Sequence, residues 1–139
     1  MTRVSGIAAA FVVALALAPI SVRADAVTLA STPLFAGSAQ KFAVCYFLNA
    51  GNAPVAKPTI TIRDEAGNPV SAPFNTCPDT GVLPGHTCGI GGSIDSNQAY
   101  NCTIVSAGAA VTGGLELRDI NSNTLINQHL QNIQGQNQQ

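Results

Sequence analysis

Short apolar segments alternate with clusters of turn-forming residues along most of this sequence. The clearest segment covers residues 59–63, where Ile60 and Ile62 alternate with threonine and arginine, the period-two pattern of a strand with one solvated face. Further segments rich in Val, Ile, Thr, Phe or Tyr predict strands over residues 26–31, 40–48, 70–77, 86–94, 99–106, 111–118 and 124–130. No window has the apolar stripe of an amphipathic helix. The sequence therefore predicts an all-β, antiparallel β-sandwich of seven to eight strands.

Residues 1–24 have a different pattern, which is typical of an export signal. A basic residue, Arg3, precedes an uninterrupted apolar run over residues 7–18, and Pro19 ends that run. An uncleaved membrane anchor is the alternative, but a spanning helix needs about 20 apolar residues. We predict a signal peptide that is cleaved between Ala24 and Asp25. The mature chain is then a β-sandwich domain over residues 25–130 and a disordered, Gln/Asn-rich tail over residues 131–139.

The charge composition argues against one class of partner. Charged residues make up only 9% of the chain, and two of the six basic residues, Arg3 and Arg23, lie in the predicted leader. A protein that binds nucleic acid needs a basic face to neutralise phosphates. We therefore expect no nucleic acid partner. We also expect no membrane insertion of the mature chain, because no second apolar stretch approaches membrane length.

The four cysteines are Cys45, Cys77, Cys88 and Cys102. Their spacing matches neither a zinc ribbon nor a Cys-x-x-Cys redox motif. An even number of cysteines in an exported chain indicates disulfide bonds. Four cysteines allow three pairings, and spacing alone does not choose among them.

A resemblance to immunoglobulin-like sandwiches bears on the pairing. Tyr100 lies two residues before Cys102, late in the chain, and this arrangement resembles the tyrosine corner and second cysteine of those domains. The resemblance implies that Cys45 and Cys102 join the two sheets, flanked by inward-facing Ala43, Phe47 and Ile104. Cys77 and Cys88 would then pair locally. The chain departs from antibody-type domains in having no core tryptophan.

Three turns also resemble those of bacterial exported sandwich modules related to the CARDB group. They are Asn49-Ala50-Gly51 after the second predicted strand, Asp64-Glu65-Ala66-Gly67 in a hairpin, and Leu83-Pro84-Gly85 before the fifth strand. The resemblance covers residues 40–118 and implies architecture. It also implies an adhesive or assembly role, and it transfers no functional residue.

Candidate chemistry is sparse in the rest of the sequence. His86 lies two residues before Cys88, and these residues with Cys77 form a metal or redox site only if the cysteines are reduced. His129 has no carboxylate near it in sequence. The glycines of residues 89–92 are followed by no helix that could bind phosphate. The Asn101-Cys102-Thr103 sequon falls in the middle of a predicted strand.

The acidic residues and the aromatic residues complete the candidates. Asp64 and Glu65 are adjacent, so their side chains diverge in a strand and suit a hydrated turn. Asp79, Asp95 and Asp119 lack the spacing of a calcium loop. Tyr46 is the main candidate for a sugar-stacking platform, since the chain has no tryptophan.

These observations predict a periplasmic or extracellular, disulfide-stabilised sandwich without enzymatic activity. We expect a structural or interaction module with a protein partner in the cell envelope or outside the cell. It would bind through a sheet edge, formed by the Pro73-containing strand or the first strand, or through the loops at one end. We expect no cofactor and no metal. The alternative is a module that binds a small ligand, a glycan or a metal ion.

The leader and the disulfides can be tested together on chain recovered from the envelope or the medium. The mass of the intact protein should correspond to a chain that begins at Asp25. It should rise by about 4 Da on reduction, because each of two disulfides takes up two hydrogens. A chain that retains residues 1–24, or a mass unchanged by reduction, would contradict these expectations.

Overall fold

The computed structural model describes residues 26–108 and 110–133. The predicted leader and residues 134–139 of the predicted tail lie outside the described residues. The described chain contains no helix and is an all-β sandwich of two antiparallel sheets. Its ten strands are β1 (Ala26–Ala30), β2 (Leu34–Ala36), β3 (Phe42–Asn49), β4 (Thr59–Asp64), β5 (Phe74–Asn75), β6 (Thr87–Ser93), β7 (Gln98–Ala107), β8 (Val111–Arg118), β9 (Thr124–His129) and β10 (Gln131–Asn132).

Every predicted strand has a counterpart, and the two additional strands are short. β2 follows β1 after Pro33, which has no amide hydrogen and interrupts the ladder. The predicted domain boundary lies after Leu130, whereas the pairing continues to Asn132 in β10. Backbone hydrogen bonds to β1 order these polar residues, although their side chains are exposed.

The first sheet is built around β7, the longest strand, and is called the β7 sheet. β4 pairs with one edge of β7, and β1 and β2 pair in succession with the other edge. β10 lies outside β1. Alternate residues of β7 are buried, and they pack toward the second sheet: Tyr100, Cys102, Ile104 and Ser106.

The second sheet is built around β3 and is called the β3 sheet. Its order is β5-β6-β3-β8-β9. β3 pairs along its whole length with β8 on one side and with β6 on the other side. The strand that follows Pro73, β5, lies at the edge of this sheet, and the expectation of an edge position is confirmed.

The connections differ from those of a constant-type immunoglobulin domain at two positions. Such a domain has sheets ABED and CFG, and here β5-β6-β3 and β4-β7 correspond to D-E-B and C-F. The strand after β7, however, crosses to the other sheet and pairs with β3, in the place of strand A. β1 takes the place beside β7 that strand G occupies in that fold. The first strand and the strand after F have therefore exchanged sheets.

Both disulfides are present in the structure. Cys45 of β3 is joined to Cys102 of β7 across the sandwich, with 6.2 Å between the Cα atoms. Cys77 is joined to Cys88, with a Cα separation of 4.7 Å. Ala43, Phe47 and Ile104 are fully buried around the inter-sheet bridge, as predicted.

Tyr100 makes a tyrosine corner. Its hydroxyl accepts a hydrogen bond from the Asp95 backbone N–H (2.9 Å) and donates one to the Asp95 carbonyl (3.0 Å). This side chain therefore ties the start of β7 to the loop that precedes it, as the Tyr-x-Cys pattern predicts.

Removal of the two disulfides should have unequal effects on stability. The chain-entropy relation gives about 4 kcal/mol for the long Cys45–Cys102 loop and about 3 kcal/mol for the short one. The free energy of unfolding from urea titration should therefore fall further in the Cys45→Ala/Cys102→Ala variant than in Cys77→Ala/Cys88→Ala. A larger loss in the short-loop variant would contradict the central role of the inter-sheet bridge.

Candidate functional site

The outer face of the β3 sheet has an apolar ridge along its central strand. Residues of a strand point alternately to the two faces, and Ala43, Cys45 and Phe47 of β3 belong to the core cluster and point inward. The outward row of β3 is therefore Phe42, Val44, Tyr46 and Leu48. This row is unusual, because the solvated face of a sheet is ordinarily polar.

Small residues flank this ridge. Gly91 and Gly89 of β6 lie opposite Val44 and Tyr46, and Gly114 of β8 lies opposite Tyr46 from the other side. Without side chains at these positions, Tyr46 stands between two shallow troughs. We call this surface the Tyr46 face; its residues are Phe42, Val44, Tyr46, Leu48, Phe74, Gly89, Gly91, Gly114, Glu116 and Arg118.

Gly89 is required by close packing. A Cβ atom at this position would lie 2.7 Å from the Cys45 carbonyl oxygen and 3.0 Å from the nearest Tyr46 ring carbon. Such distances are too short for a carbon side chain, so the Tyr46 ring lies over bare backbone. Stacking of an aromatic ring over a strand glycine is a known way to stabilise it.

Two cavities lie along the ridge, one beside Phe42 and Val44 and the other beside Tyr46 and Leu48. One has a volume of about 260 Å³ and is lined by apolar Phe42, Val44 and Phe74, with Arg118 at its border. The other has a volume of about 360 Å³ and is lined by Tyr46, Leu48, Gly114 and Glu116, with exposed His129 at its rim. Phe74 is 47% exposed. The face therefore combines accessible apolar surface with a few polar groups.

A hydrogen-bonded chain of polar side chains crosses this face. The Arg118 Nη2 group donates to the Tyr46 hydroxyl and to Glu116 Oε2 (2.8 Å), and Arg118 Nε donates to the same carboxylate oxygen (3.0 Å). Thr124 of β9 also donates to Glu116, at 2.9 Å. The Arg118 guanidinium carbon lies 5.4 Å from the centre of the Tyr46 ring, within cation–π range. These contacts hold the Tyr46 side chain in one position.

The electrostatics of Tyr46 follow from these neighbours. Burial raises the pKa of its hydroxyl above the ordinary value, the Arg118 charge lowers this pKa, and the Glu116 charge raises it. The net shift is upward, so the hydroxyl stays protonated at neutral pH. It can then accept the hydrogen bond from Arg118 and still donate one.

The two histidines are exposed, and they line different cavities. His86 lies in a turn before β6, where its backbone carbonyl accepts a hydrogen bond from the Asn49 N–H (3.1 Å). Because Cys77 and Cys88 are joined, they offer His86 no thiolates. His129 lies at the rim of the Tyr46 face. The cavities beside His86 and beside Asp95 have no lining residue in common.

Two of the acidic candidates form turns. Asp64 and Asp119 each accept hydrogen bonds from the backbone and the side-chain amide of the asparagine four residues later, Asn68 and Asn123. These hydrogen bonds lower the pKa of both carboxyl groups. In each case the hydrogen bond from the asparagine side chain is the largest cause. Asp79 instead makes an exposed ion pair with Lys57. All three carboxylates thus have local partners.

Two further candidates lie within strands. Gly89, Gly91 and Gly92 belong to β6, and the first two lie opposite the outward residues Tyr46 and Val44. Asn101 lies near the middle of β7, between β4 and the first two strands. It faces outward but is only partly exposed.

The described part of the chain contains no group of three or more His, Cys, Asp and Glu residues that could hold a metal ion. Over the same residues, no helix has the length and apolar character needed to cross a membrane. No family model matches the sequence, no curated protein matches it, and no solved structure matches the fold.

Sequence reasoning identified Tyr46 but missed its polar partners. Glu116 and Arg118 are two residues apart in a strand, so the alternation of residues 111–118 places both on one face. The shared face of Glu116 and Arg118 could therefore be predicted from the sequence. Their proximity to Tyr46 could not be predicted, because it depends on the pairing of β8 with β3.

The polar chain predicts opposite shifts for two isosteric changes. Arg118→Gln removes a charge that lowers the pKa of Tyr46 and should raise that pKa. Glu116→Gln removes a charge that raises the pKa of Tyr46, so this variant should have a lower Tyr46 pKa than the wild type. Titration of the phenolate ultraviolet absorbance measures both, and Tyr46→Phe distinguishes this group from Tyr100. Shifts of the same sign in the two variants would show that these charges do not act on Tyr46.

Proposed function

We propose that this chain is an exported, non-catalytic module that binds a protein partner through the Tyr46 face. The partner belongs to the cell envelope or to the extracellular medium. In this proposal the fold is a variant of the immunoglobulin-like sandwich and has the adhesive or assembly role implied by its CARDB-like turns.

The observation that carries the proposal is the pairing of Tyr46 with Arg118 on an apolar ridge. Tyrosine and arginine are enriched among the residues that contribute most to protein interfaces. The side chains of Tyr46, Arg118 and Glu116 are held by one another, so little conformational entropy remains to be lost on binding. Apolar side chains on both sides of this pair, among them Phe74, supply surface to bury.

Export is supported by the disulfides. Two disulfides in a domain of this size indicate an oxidising compartment. The predicted leader would direct the chain to the periplasm or beyond. The role in this proposal is non-catalytic, and His86 and Asp95 line separate cavities.

A small-ligand or glycan site is the second candidate, and the troughs favour it. Their volumes are close to the lower limit of typical ligand pockets. The position of Arg118 over the Tyr46 ring disfavours sugar stacking, because that contact occupies part of the ring surface. Protein binding therefore agrees better with this geometry.

The test compares capture of partners by matched variants. Tyr46→Ala and Arg118→Ala should each weaken binding of a partner from the envelope or secreted fraction by about 2 kcal/mol, or roughly 30-fold in Kd. Thr61→Ala is the matched control, because Thr61 lies on the outward face of β4 in the opposite sheet. This change should leave the Kd unaltered.

Equal binding by all three variants would place the interface elsewhere. A thermal-shift screen with sugars and divalent metal ions distinguishes the second candidate. A sugar that raises the Tm of the wild-type chain but not of Tyr46→Ala would favour a glycan site, and no shift across the panel would remove it.

A further inference from the structure

β1 fills a position that the connections of the fold leave open. It pairs with β7 over five residues, from Ala26 opposite Ala107 to Ala30 opposite Thr103. The strand that follows β7 in sequence pairs with β3 in the other sheet, so it does not cover this edge of β7. The edge is completed by a segment from the opposite end of the domain.

The side chains of β1 fit a groove in the core. Val27 and Leu29 are buried at alternate positions, 8% and 4% exposed. They belong to the same apolar cluster as Ile104 of β7, Leu115 of β8 and Leu130. Without β1, solvent would reach this apolar cluster and the backbone N–H and C=O groups along one half of β7.

The covalent links of the domain do not include β1. All four cysteines lie at or after position 45, and the inter-sheet bridge spans residues 45–102. β4 to β6 and the first half of β7 lie within this covalent loop, whereas β1 lies outside it. Its release would leave both disulfides and the β3–β6–β8 pairing intact.

The connection between β1 and β2 is the hinge about which β1 would move, and one exposed hydrogen bond, from Gln128 Nε2 of β9 to Thr32 Oγ1, ties it to the other sheet. Ser31 is held to Cys102 by two hydrogen bonds, both 2.9 Å, and ends the β1 ladder. Thr32 and Pro33 are exposed, and the pairing with β7 resumes only at Leu34. On its outer edge β1 pairs with the two-residue β10, and the Thr28 carbonyl accepts a hydrogen bond from the Ile133 N–H.

We propose that β1 exchanges between copies of this chain, so that β1 of one copy occupies the groove beside β7 of a second copy. This interaction uses a different surface from the Tyr46 face and does not depend on the function proposed above. The exchanged contacts are identical to those within one copy, so the two forms differ chiefly in the entropy of the hinge. The effective concentration of a segment on a short flexible connection is about millimolar, and the exchanged dimer should form with a constant of that order.

Single-cysteine variants can report the exchange directly. Thr28 and Val105 are register partners with outward side chains, and directly opposed residues have Cβ atoms about 5 Å apart. Chains carrying Thr28→Cys are mixed with chains carrying Val105→Cys. A disulfide between these positions then reports β1 of one chain beside β7 of another, above the background of random collisions that the control measures.

The matched control uses the other neighbour of the same residue. Thr59 of β4 is also a register partner of Val105, but β4 lies inside the covalent loop and has no free end. We expect the Thr28–Val105 product to rise with protein concentration and to exceed the Thr59–Val105 product by at least about tenfold near millimolar chain. Peptide mapping identifies both products and checks that the native disulfides are retained.

The double variant Thr28→Cys/Val105→Cys in one chain shows that the geometry permits the bond. If that variant forms its disulfide within one chain while both mixtures give equal, low amounts of cross-linked product, the exchange does not occur. A cross-link from Thr28 to Val105 that accumulates only in the mixture of those two variants supports it.

Discussion

The bridge between Cys45 and Cys102 joins the central strands of the two sheets, and both residues are fully buried. It therefore sets the side of β3 that faces the core. With Cys45 inward, the period of two directs Val44 and Tyr46 outward. A one-residue slip of β3 would place the polar hydroxyl of Tyr46 in the core and Cys45 in solvent, out of reach of Cys102. The inter-sheet disulfide thus determines which residues of β3 lie on the outer face of the β3 sheet.

Local pattern was sufficient to predict the strands, because alternation and turn chemistry act within a few residues. Residues 59–63 alternate and form β4, and the Tyr-x-Cys pattern forms a tyrosine corner. The segments missed were β2 and β10. They have three and two residues and are held by backbone hydrogen bonds, which leave little trace in side-chain pattern. The exchange of places between β1 and β8 was also beyond prediction, since periodicity carries no information about which strands become neighbours.

The candidate site was predictable to a similar extent. Tyr46 was identified from composition, as one of two tyrosines in a chain without tryptophan. Its environment depends on three strands: Gly89 comes from β6, Arg118 from β8, and the tyrosine from β3. Gly89 and Gly91 lie close to the backbone of β3, the strand that carries the Tyr46 ring, whereas Gly92 lies close to the Ser71 backbone.

The edge of the β3 sheet formed by Pro73 and Phe74 has one more consequence. A regular outer strand offers a row of backbone N–H and C=O groups with which another extended chain can pair. The edge strand here, β5, is only two residues long, and Pro73 before it has no backbone N–H. Lateral growth of the sandwich into a continuous ribbon is therefore blocked on this side, even when the protein is concentrated. That leaves contacts with other molecules to the remaining surfaces of the domain.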